Sequence, residues 1–451
     1  MNLSEELVSI LTSIRDAQGW PLIVGGAVRD HLLNQSPKDF DVEVYRLSVT
    51  ELLQILNKFG KTDQVGISFG IIKLHSHQGN EYDFSLPRRE NKQGSGHRGF
   101  IVNPDPSMTP EEACSRRDYT INAMAYDFSK NQIIDYFEGQ KDLQAGILRH
   151  AGPAFAEDPL RVLRGLQFAS RFQMQVAPET AILCQQLKSE YQTLAKERIW
   201  GEWQKWALKS IKPSAGLRFL RETGWLSCYP ALERTIGIQQ HTHWHPEGDV
   251  WEHTCHVADA AAQIAIRDGL SEENRCLSVL AALCHDLGKP ETTILEDGIW
   301  RSPGHAEAGV PHTEVFLEHI DAPLKLREKC APLVKEHLAY LQATSSRNVR
   351  RLATRLGPAT IEELLWLIEA DHSGRPPLPP GLPEEAKQMS TKATQTNALQ
   401  GRQLPILMGK HLLERGLLQP GPSTGITWMI FCGEKLIQVR QAKKRSLQTQ
   451  A

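Results

Sequence analysis

The chain has little that would place it in a membrane, a secreted scaffold or a zinc-finger class. Its eight cysteines in 451 residues never fall as Cys-x-x-Cys, which excludes a zinc knuckle and a thioredoxin-like redox pair. Cysteines scattered singly suit a reducing cytoplasm, the expected location. No apolar run nears the ~18 residues that a membrane helix needs, so no membrane partner is expected. The start, Asn2-Leu-Ser-Glu-Glu-Leu7, lacks the basic segment of a signal peptide. Neither sign of charge dominates: the net charge of −2 excludes a global basic field, so nucleic acid would have to be held by local patches. There is no repeat of fixed period. What remains is an ordinary globular composition over a length that suits roughly two to four compact units.

The most informative stretch reads Gly25-Gly26-Ala27-Val28-Arg29-Asp30, then Asp39-Phe40-Asp41. The apolar run 21–24 before it is short enough for a buried strand, and Ala27 to Asn34 has helical composition. Strand, glycine turn and helix bring backbone N–H groups and a positive dipole end to one point, where a phosphate can sit. Asp39 and Asp41 are spaced i and i+2, which on a strand puts both carboxylates on one face. Paired like charges are costly unless a cation bridges them, and the natural partner is Mg²⁺. A phosphate cradle beside paired aspartates points to metal-assisted transfer from a nucleoside triphosphate.

Around this stretch, helical patterns cover Leu3 to Gln18 and Val49 to Phe59, and Ile67 to His75 and Glu81 to Leu86 read as strands. Asp83 alternates with apolar Tyr82 and Phe84, so a third carboxylate could meet Asp39 and Asp41 across the sheet. Arg88 to Gly99 is basic, glycine-rich and without apolar periodicity, and reads as a mobile loop able to fold over a polyphosphate. In Arg116-Arg117-Asp118-Tyr119-Thr120-Ile121-Asn122-Ala123 the adjacent arginines can grip phosphates, while Asp118 suits a helix cap. Asp135 to Leu143 reads as a turn and hinge.

These motifs, followed by Glu157-Asp158-Pro159-Leu160-Arg161-Val162-Leu163-Arg164, together resemble the bacterial (class II) tRNA nucleotidyltransferases. These are the CCA-adding enzymes of the polymerase-β-like superfamily. The resemblance implies a catalytic head followed by helical neck, body and tail, adding C, C and A to tRNA 3′ ends from CTP and ATP without a template. It implies that Asp39 and Asp41 hold Mg²⁺, that Gly26, Arg29 and Arg117 bind the nucleotide beside Gly25, and that Asp158, Arg161 and Arg164 line its base and phosphate pocket. The base contact also follows from chemistry. Asp158 and Arg161 lie one helical turn apart. Cytosine and adenine share an amino donor beside an unprotonated ring nitrogen, whereas uracil and guanine offer a carbonyl and a ring N–H. One Asp–Arg pair would thus accept C and A and leave buried groups unpaired with U or G. The family often carries a further Arg three residues after Arg164; here Gln167 stands there and brings no charge to a phosphate.

Gln173 to Trp225 is helical and charged, with Trp200 and Trp203 expected as core packing in a segment, Lys196 to Trp203, that resembles the family's neck. A second constellation follows: His253, His285-Asp286, His305, His337 and Asp371, each set in a helical pattern. The order His…His-Asp…Asp suits imidazole and carboxylate ligation of Ni²⁺, Mn²⁺, Co²⁺ or Fe²⁺, and the region resembles the HD metal-dependent phosphohydrolases. His253, His285, Asp286 and Asp371 are the expected ligands, with His305 and His337 holding a second metal or the substrate phosphate. A structural platform in which these residues merely pair is the rival. Arg347, Arg350, Arg351 and Arg355 offer a basic face to tRNA or to solvent. Arg375 to Pro383 reads as an extended linker and Lys387 to Gln400 as a mobile polar stretch. Helical pattern returns from Gly401, and Arg440 to Arg445 is a basic tail.

The expected fold class is α+β: a small mixed-sheet nucleotidyltransferase head (1–140), a helical neck that binds base and tRNA (141–236), an HD domain (237–375), and a linker with a helical tail (376–451). The expected activity is CMP and AMP transfer to tRNA, with a second, phosphohydrolase activity in the HD region. The rivals are a poly(A) polymerase, disfavoured by the short C-terminus and the His-Asp region, an enzyme adding only CC or only A, and a catalytically silent RNA-binding module.

Overall fold

A computed structural model describes residues 1–402 except 38, 64–70, 93–99, 106 and 344. The head begins with helix α1 (Glu5–Asp16), whose Ser4 hydroxyl accepts from the Leu7 N–H while Leu7, Ile10, Leu11 and Ile14 form its buried face. Its strands are β1 (Trp20–Val24), β2 (Asp41–Tyr45), β3 (Gly60–Asp63), β4 (Ile71–Ser76), β5 (Glu81–Ser85), β6 (Arg88–Lys92), β7 (Phe100–Pro104), β8 (Met124–Asp127) and β9 (Gln132–Asp135). Helices α2 (Gly26–Leu32), α3 (Val49–Leu56) and α4 (Pro110–Ser115) lie between them, and α5 (Gly139–Ala145) follows β9. Seven strands form one mixed sheet in the order β3-β4-β5-β2-β1-β8-β9, in which only β2 and β5 run parallel. Alternation sorts its faces. Val42, Val44, Tyr82 and Phe84 join the core under α1 and α3. Asp41, Glu43, Asp83 and Ser85 point the other way and line a cleft.

The rest of the described chain is mainly helical: α6 (Leu160–Phe172), α7 (Pro178–Gln186), α8 (Lys196–Lys209), α9 (Pro213–Glu222), α10 (Pro230–Glu233), α11 (Val250–Arg267) and α12 (Glu272–Cys284). Then come α13 (Lys289–Thr292), α14 (His305–His319), α15 (Leu324–Glu336), α16 (Ser346–Arg355), α17 (Ile361–Ser373) and α18 (Glu384–Gln395). One continuous apolar core runs from Tyr119 to Ala398, so neck and body pack as a unit around fully buried Trp203, Trp206, Trp225 and Trp251. No helix among the described residues is long and apolar enough to cross a membrane.

Four local expectations change. Residues 88–92 and 100–104 pair as antiparallel strands, where a loop was expected from Arg88 onward, because backbone pairing does not need apolar alternation; 93–99 lie outside the described residues. Asp135 is no hinge: its carboxylate accepts from the N–H groups of Gly139 at 2.8 Å and Gln140 at 2.9 Å and anchors the start of α5. The stretch read as mobile after Lys387 is mostly α18, held by buried Ala386, Met389 and Ala393; two small alanines and a single methionine do not register as an apolar face. Asp39 precedes β2 rather than sharing it. The first expected strand begins at Ile71 among the described residues, and the helical pattern after Gly401 and the basic tail fall almost wholly outside them.

The crossing of α6 and α9 depends on close backbone approach. The Gly216 N–H donates to Ser170 Oγ at 3.0 Å, and a methyl group at 216 would fall on that hydroxyl and on the Leu166 carbonyl. Gly216→Ala is expected to destabilise the protein by about 1–3 kcal/mol through overpacking, read as a lower urea midpoint; an unchanged midpoint would show that the helices slide freely.

Candidate active sites

The parallel pairing of β2 with β5 sets Asp41 directly beside Asp83. Both carboxylates, with Glu43 two residues further along β2, line a cleft of ≈ 550 Å³ between the sheet and α6. Burial pushes the Asp41 carboxyl up; Arg117 counters this, while Asp83, Asp39 and Glu43 push it further. Asp83 Oδ1 is buried without a hydrogen-bond partner, and Lys73 Nζ lies 3.8 Å away. Several acids around an orphaned oxygen, with no full set of cationic partners, fit a divalent ion of oxygen-ligand type. Exposed Asp39 stands two residues before Asp41 at the same strand end. Glu43 was missed by the sequence reading, although its i+2 spacing from Asp41 on a strand was a usable signal. It accepts from Tyr45 Oη at 2.6 Å and lies 3.9 Å from Arg117.

Gly25 ends β1 with φ +72°, and a Cβ there would stand 2.9 Å from Arg117 Nη1, so both the turn and the arginine require glycine. Arg117 lines the cleft, and its Nε is buried without a partner. Arg29 does not line it. Its guanidinium is buried behind the turn, bonded to Asp30 and Asn122 and stacked 4.5 Å over Phe172. Arg161 and Arg164 close the cleft from α6. Asp158 caps α6 by accepting from the Leu160 N–H at 3.1 Å and pairs with Arg198 at 2.8 Å; it is not among the cleft-lining residues. Gln167 is buried in α6 at 4 % exposure. Asp118 anchors this wall: its carboxylate accepts from Arg164 Nε at 2.6 Å, Asn122 Nδ2 at 3.0 Å and the Tyr119 N–H at 2.7 Å. Burial works to raise it, but Arg164 and these hydrogen bonds hold it below the usual carboxylate range.

The second centre is assembled from five separate helical segments. His253 Nε2 lies 3.1 Å from Asp371 Oδ1, 3.3 Å from His285 Nε2 and 3.6 Å from Asp286 Oδ2. His305 Nε2 lies 3.2 Å from His337 Nε2 and 3.4 Å from Asp286 Oδ1. Asp286 therefore bridges two clusters, one oxygen toward each. His285, His305 and His337 direct Nδ1 at the carbonyls of Ala282, Ser302 and Val334, at 2.7, 2.7 and 2.6 Å, which leaves every Nε2 free to face inward. Gly288 lets the start of α14 press on the turn after Asp286, since a Cβ would strike the His305 carbonyl. Neither buried oxygen of Asp286 accepts a well-formed hydrogen bond, although Lys289 Nζ is 2.6 Å from one. Inward nitrogens, a bridging carboxylate and these orphaned oxygens fit one or two divalent transition metals.

Two residues here were not foreseen. Glu247, its side chain fully buried, meets His253 Nδ1 at 2.7 Å and His245 Nδ1 at 2.9 Å through the same oxygen. Such a carboxylate fixes the tautomer and plane of a ligating imidazole. The signal available was His245-Pro-Glu247 six residues upstream of His253. Burial opposes a charged His253, but Asp371 and Glu247 hold its pKa up at about 9. Burial and the neighbouring histidines push His337 down to about 4.

Two family models match parts of the chain. The Poly A polymerase head domain family matches residues 22–149, and the HD domain family matches 250–392. A multifunctional CCA protein of Xanthomonas campestris is 38% identical over 366 residues, covering 78% of this chain and 85% of that protein. The CCA-adding enzyme of Bacillus stearothermophilus in complex with CTP shares the fold with a TM-score of 0.62 at 19% identity, over 98% of both chains. That of Thermotoga maritima complexed with tRNA superposes with a TM-score of 0.58 at 17% identity, over 94% of this chain and 89% of its own.

Asp118→Asn is expected to cost roughly 1.5–3 kcal/mol near neutral pH. The folded carboxyl lies below its unfolded value, so its stabilisation is complete above the unfolded pKa of ~3.9 and fades as pH falls through the folded one. Urea titrations should give a wild-type-to-variant difference that is constant above about pH 5 and narrows toward pH 3. A difference that did not narrow would remove the ionised carboxylate from the account.

Proposed function

The chain belongs to the family of multifunctional CCA proteins, and from that premise we propose that its head adds C, C and A to the 3′ end of tRNA from CTP and ATP, releasing pyrophosphate. The observation that carries this reading is the register of Asp41 beside Asp83 at the mouth of a cleft whose far wall bears Arg161 and Arg164. Asp39, Asp41 and Asp83 would hold Mg²⁺, which when bound activates the tRNA hydroxyl and neutralises charge on the leaving pyrophosphate. The Gly25 turn and Arg117 receive the triphosphate, Arg164 stands fixed by Asp118, and Arg29 keeps the turn in place from behind. Base selection rests on Asp158 and Arg161, one turn apart, with Arg198 setting the Asp158 carboxylate. The tRNA 3′-hydroxyl attacks the α-phosphorus, the bond to the β-phosphate oxygen breaks, and pyrophosphate departs. Exposed Arg347, Arg350 and Arg351 on α16 offer charge to the tRNA backbone, while Arg355 is bound by Glu336. The match of the head to poly(A) polymerases keeps that activity as the second reading.

In the HD region we propose hydrolysis of phosphate esters. His253, His285, Asp286 and Asp371 would hold a divalent transition metal, Ni²⁺, Mn²⁺ or Co²⁺, and Asp286, His305 and His337 a second metal or the substrate phosphate. Such a metal supplies Lewis acidity and lowers the pKa of a water. Cyclic 2′,3′-phosphates are the substrate this reading assigns, since clearing them would restore the free 3′-hydroxyl that the head requires.

Transfer is tested with tRNA ending at the discriminator base, at C or at CC, given each labelled triphosphate singly and together. Wild type should extend each to CCA and stop. Asp41→Ala and Asp83→Ala should each lose about a thousand-fold in rate while keeping the wild-type circular dichroism, because a cation ligand that acts in the transition state is gone. Near-wild-type incorporation by either variant would sink the assignment, and continued addition of A would select the polymerase.

For the HD region, the metal-stripped full chain is titrated calorimetrically with Ni²⁺ or Mn²⁺ and assayed on p-nitrophenyl phosphate. His285→Ala combined with Asp286→Ala should abolish binding and turnover together. Glu247→Gln should weaken metal binding about 10–100-fold through the imidazole it orients. Phosphatase activity that survived the double substitution would leave the platform reading standing.

A further inference from the structure

The cleft over the His–Asp cluster, ≈ 520 Å³, is built for more than a metal. Asp286, His305, His337 and Asp371 line it, and so do Trp244, Trp300 and Arg375. Trp244 is the anomaly. Four tryptophans of this chain are fully buried, whereas Trp244 is 56% exposed, the only one among the described residues to stand out as an exposed large apolar side chain. It adjoins His245, whose Nδ1 is fixed by Glu247, so the cluster itself anchors the backbone that carries the indole. Arg375 sits on the same cleft. It follows Gly374, whose carbonyl is 3.3 Å from His253 Nδ1, and its Nε is buried without a hydrogen-bond partner. An open indole face presents a stacking surface for a planar ring, and a guanidinium with an unspent donor presents a grip for a phosphate. A nucleobase and a phosphate joined by one ribose satisfy both.

We propose that Trp244 is the base platform of this cleft and Arg375 its phosphate grip, so that the site selects nucleoside phosphates, from free nucleotides or RNA 3′ ends, over simple phosphate esters. The proposal rests on the hydrolytic reading of the HD region. In the reaction water oxygen bonds to phosphorus, the P–O bond to the ribose oxygen breaks, and that oxygen takes the proton. With a 2′,3′-cyclic phosphate the product is a ring-opened monoester. Stacking on one indole face tolerates any base, so the platform confers preference for a base rather than for one base.

The full chain loaded with Mn²⁺ is assayed on 2′,3′-cyclic AMP, on an oligoribonucleotide ending in a 2′,3′-cyclic phosphate, and on glycerol 2-phosphate, which has no base. Trp244→Ala should raise KM about ten-fold for the two base-bearing substrates with little change in kcat. Trp244→Phe should recover most of that loss, and KM for glycerol 2-phosphate should move far less. Arg375→Ala should raise KM for all three. If the oligonucleotide shows the lower wild-type KM and the larger Trp244→Ala effect, RNA ends are the source; the reverse selects free nucleotides. An independent readout is the binding of 2′,3′-cyclic AMP to metal-free protein by tryptophan quenching, expected to weaken in Trp244→Ala. Equal KM changes on all substrates, or unchanged values on the base-bearing ones, would overturn the platform. If wild type hydrolysed nothing with metal, the hydrolytic reading would fail, and the quenching titration would still decide the platform by itself.

Discussion

The structure of the head depends on tolerating like charge at one place. Asp41 and Asp83 are neighbours because β2 and β5 run parallel, and that pairing is the only parallel one in a sheet of seven strands. Two carboxylates side by side cost free energy unless something positive lies between them or beside them. The surrounding residues supply part of that compensation: Arg117 is packed against Gly25 and reaches toward Glu43, and Arg161 and Arg164 face the acids from α6. The rest is left open, as the orphaned Asp83 oxygen records. The apolar side of the same strands makes this arrangement affordable. Val42, Val44, Tyr82 and Phe84 bury completely or nearly so against α1 and α3, and their burial holds the register that sets the acids together.

The second centre applies the same constraint with different chemistry. Asp286 is buried with both oxygens unsatisfied by hydrogen bonds, between two groups of imidazole nitrogens that all turn inward. Outward-facing Nδ1 atoms are spent on backbone carbonyls or on Glu247, so ring orientation is set before any ion arrives. The helical wall of the nucleotide cleft and the second centre share one apolar core, since Tyr119, α6, the four buried tryptophans and α18 all belong to it, while the strands that carry Asp41 and Asp83 pack in a cluster of their own. That continuity gives the nucleotide cleft a helical wall: Asp118 of the head segment locks Arg164 of α6 in place.

Much of both sites was legible because their chemistry is written in unusual residue combinations. Gly25-Gly26, the aspartates at 39 and 41, Arg116-Arg117 and the spaced histidines are hard to place in a structure without a ligand. Packing gives some of these residues partners that their local pattern does not announce. Arg29 reads as a nucleotide contact, yet its guanidinium is consumed by Asp30, Asn122 and the Phe172 ring. Asp158 reads as a base reader, yet it also caps α6 and pairs with Arg198, 40 residues away. The basic stretch after Arg88 has strand-forming ends that pair with residues 100–104, a partnership no local pattern announces.

The amino-acid order by itself determined the family, the α+β class and most of the polar residues at the two centres, because glycine turns, i/i+2 acids and buried-pattern histidines each carry a local physical requirement. Only the tertiary structure decided which of those residues meet. The pairing of Asp41 with Asp83, the bridging position of Asp286, the hidden service of Glu247 and the exposure of Trp244 all arise from contacts between segments distant in the chain. Such contacts are set by shape and burial summed over a whole core, and no short stretch of sequence contains that sum.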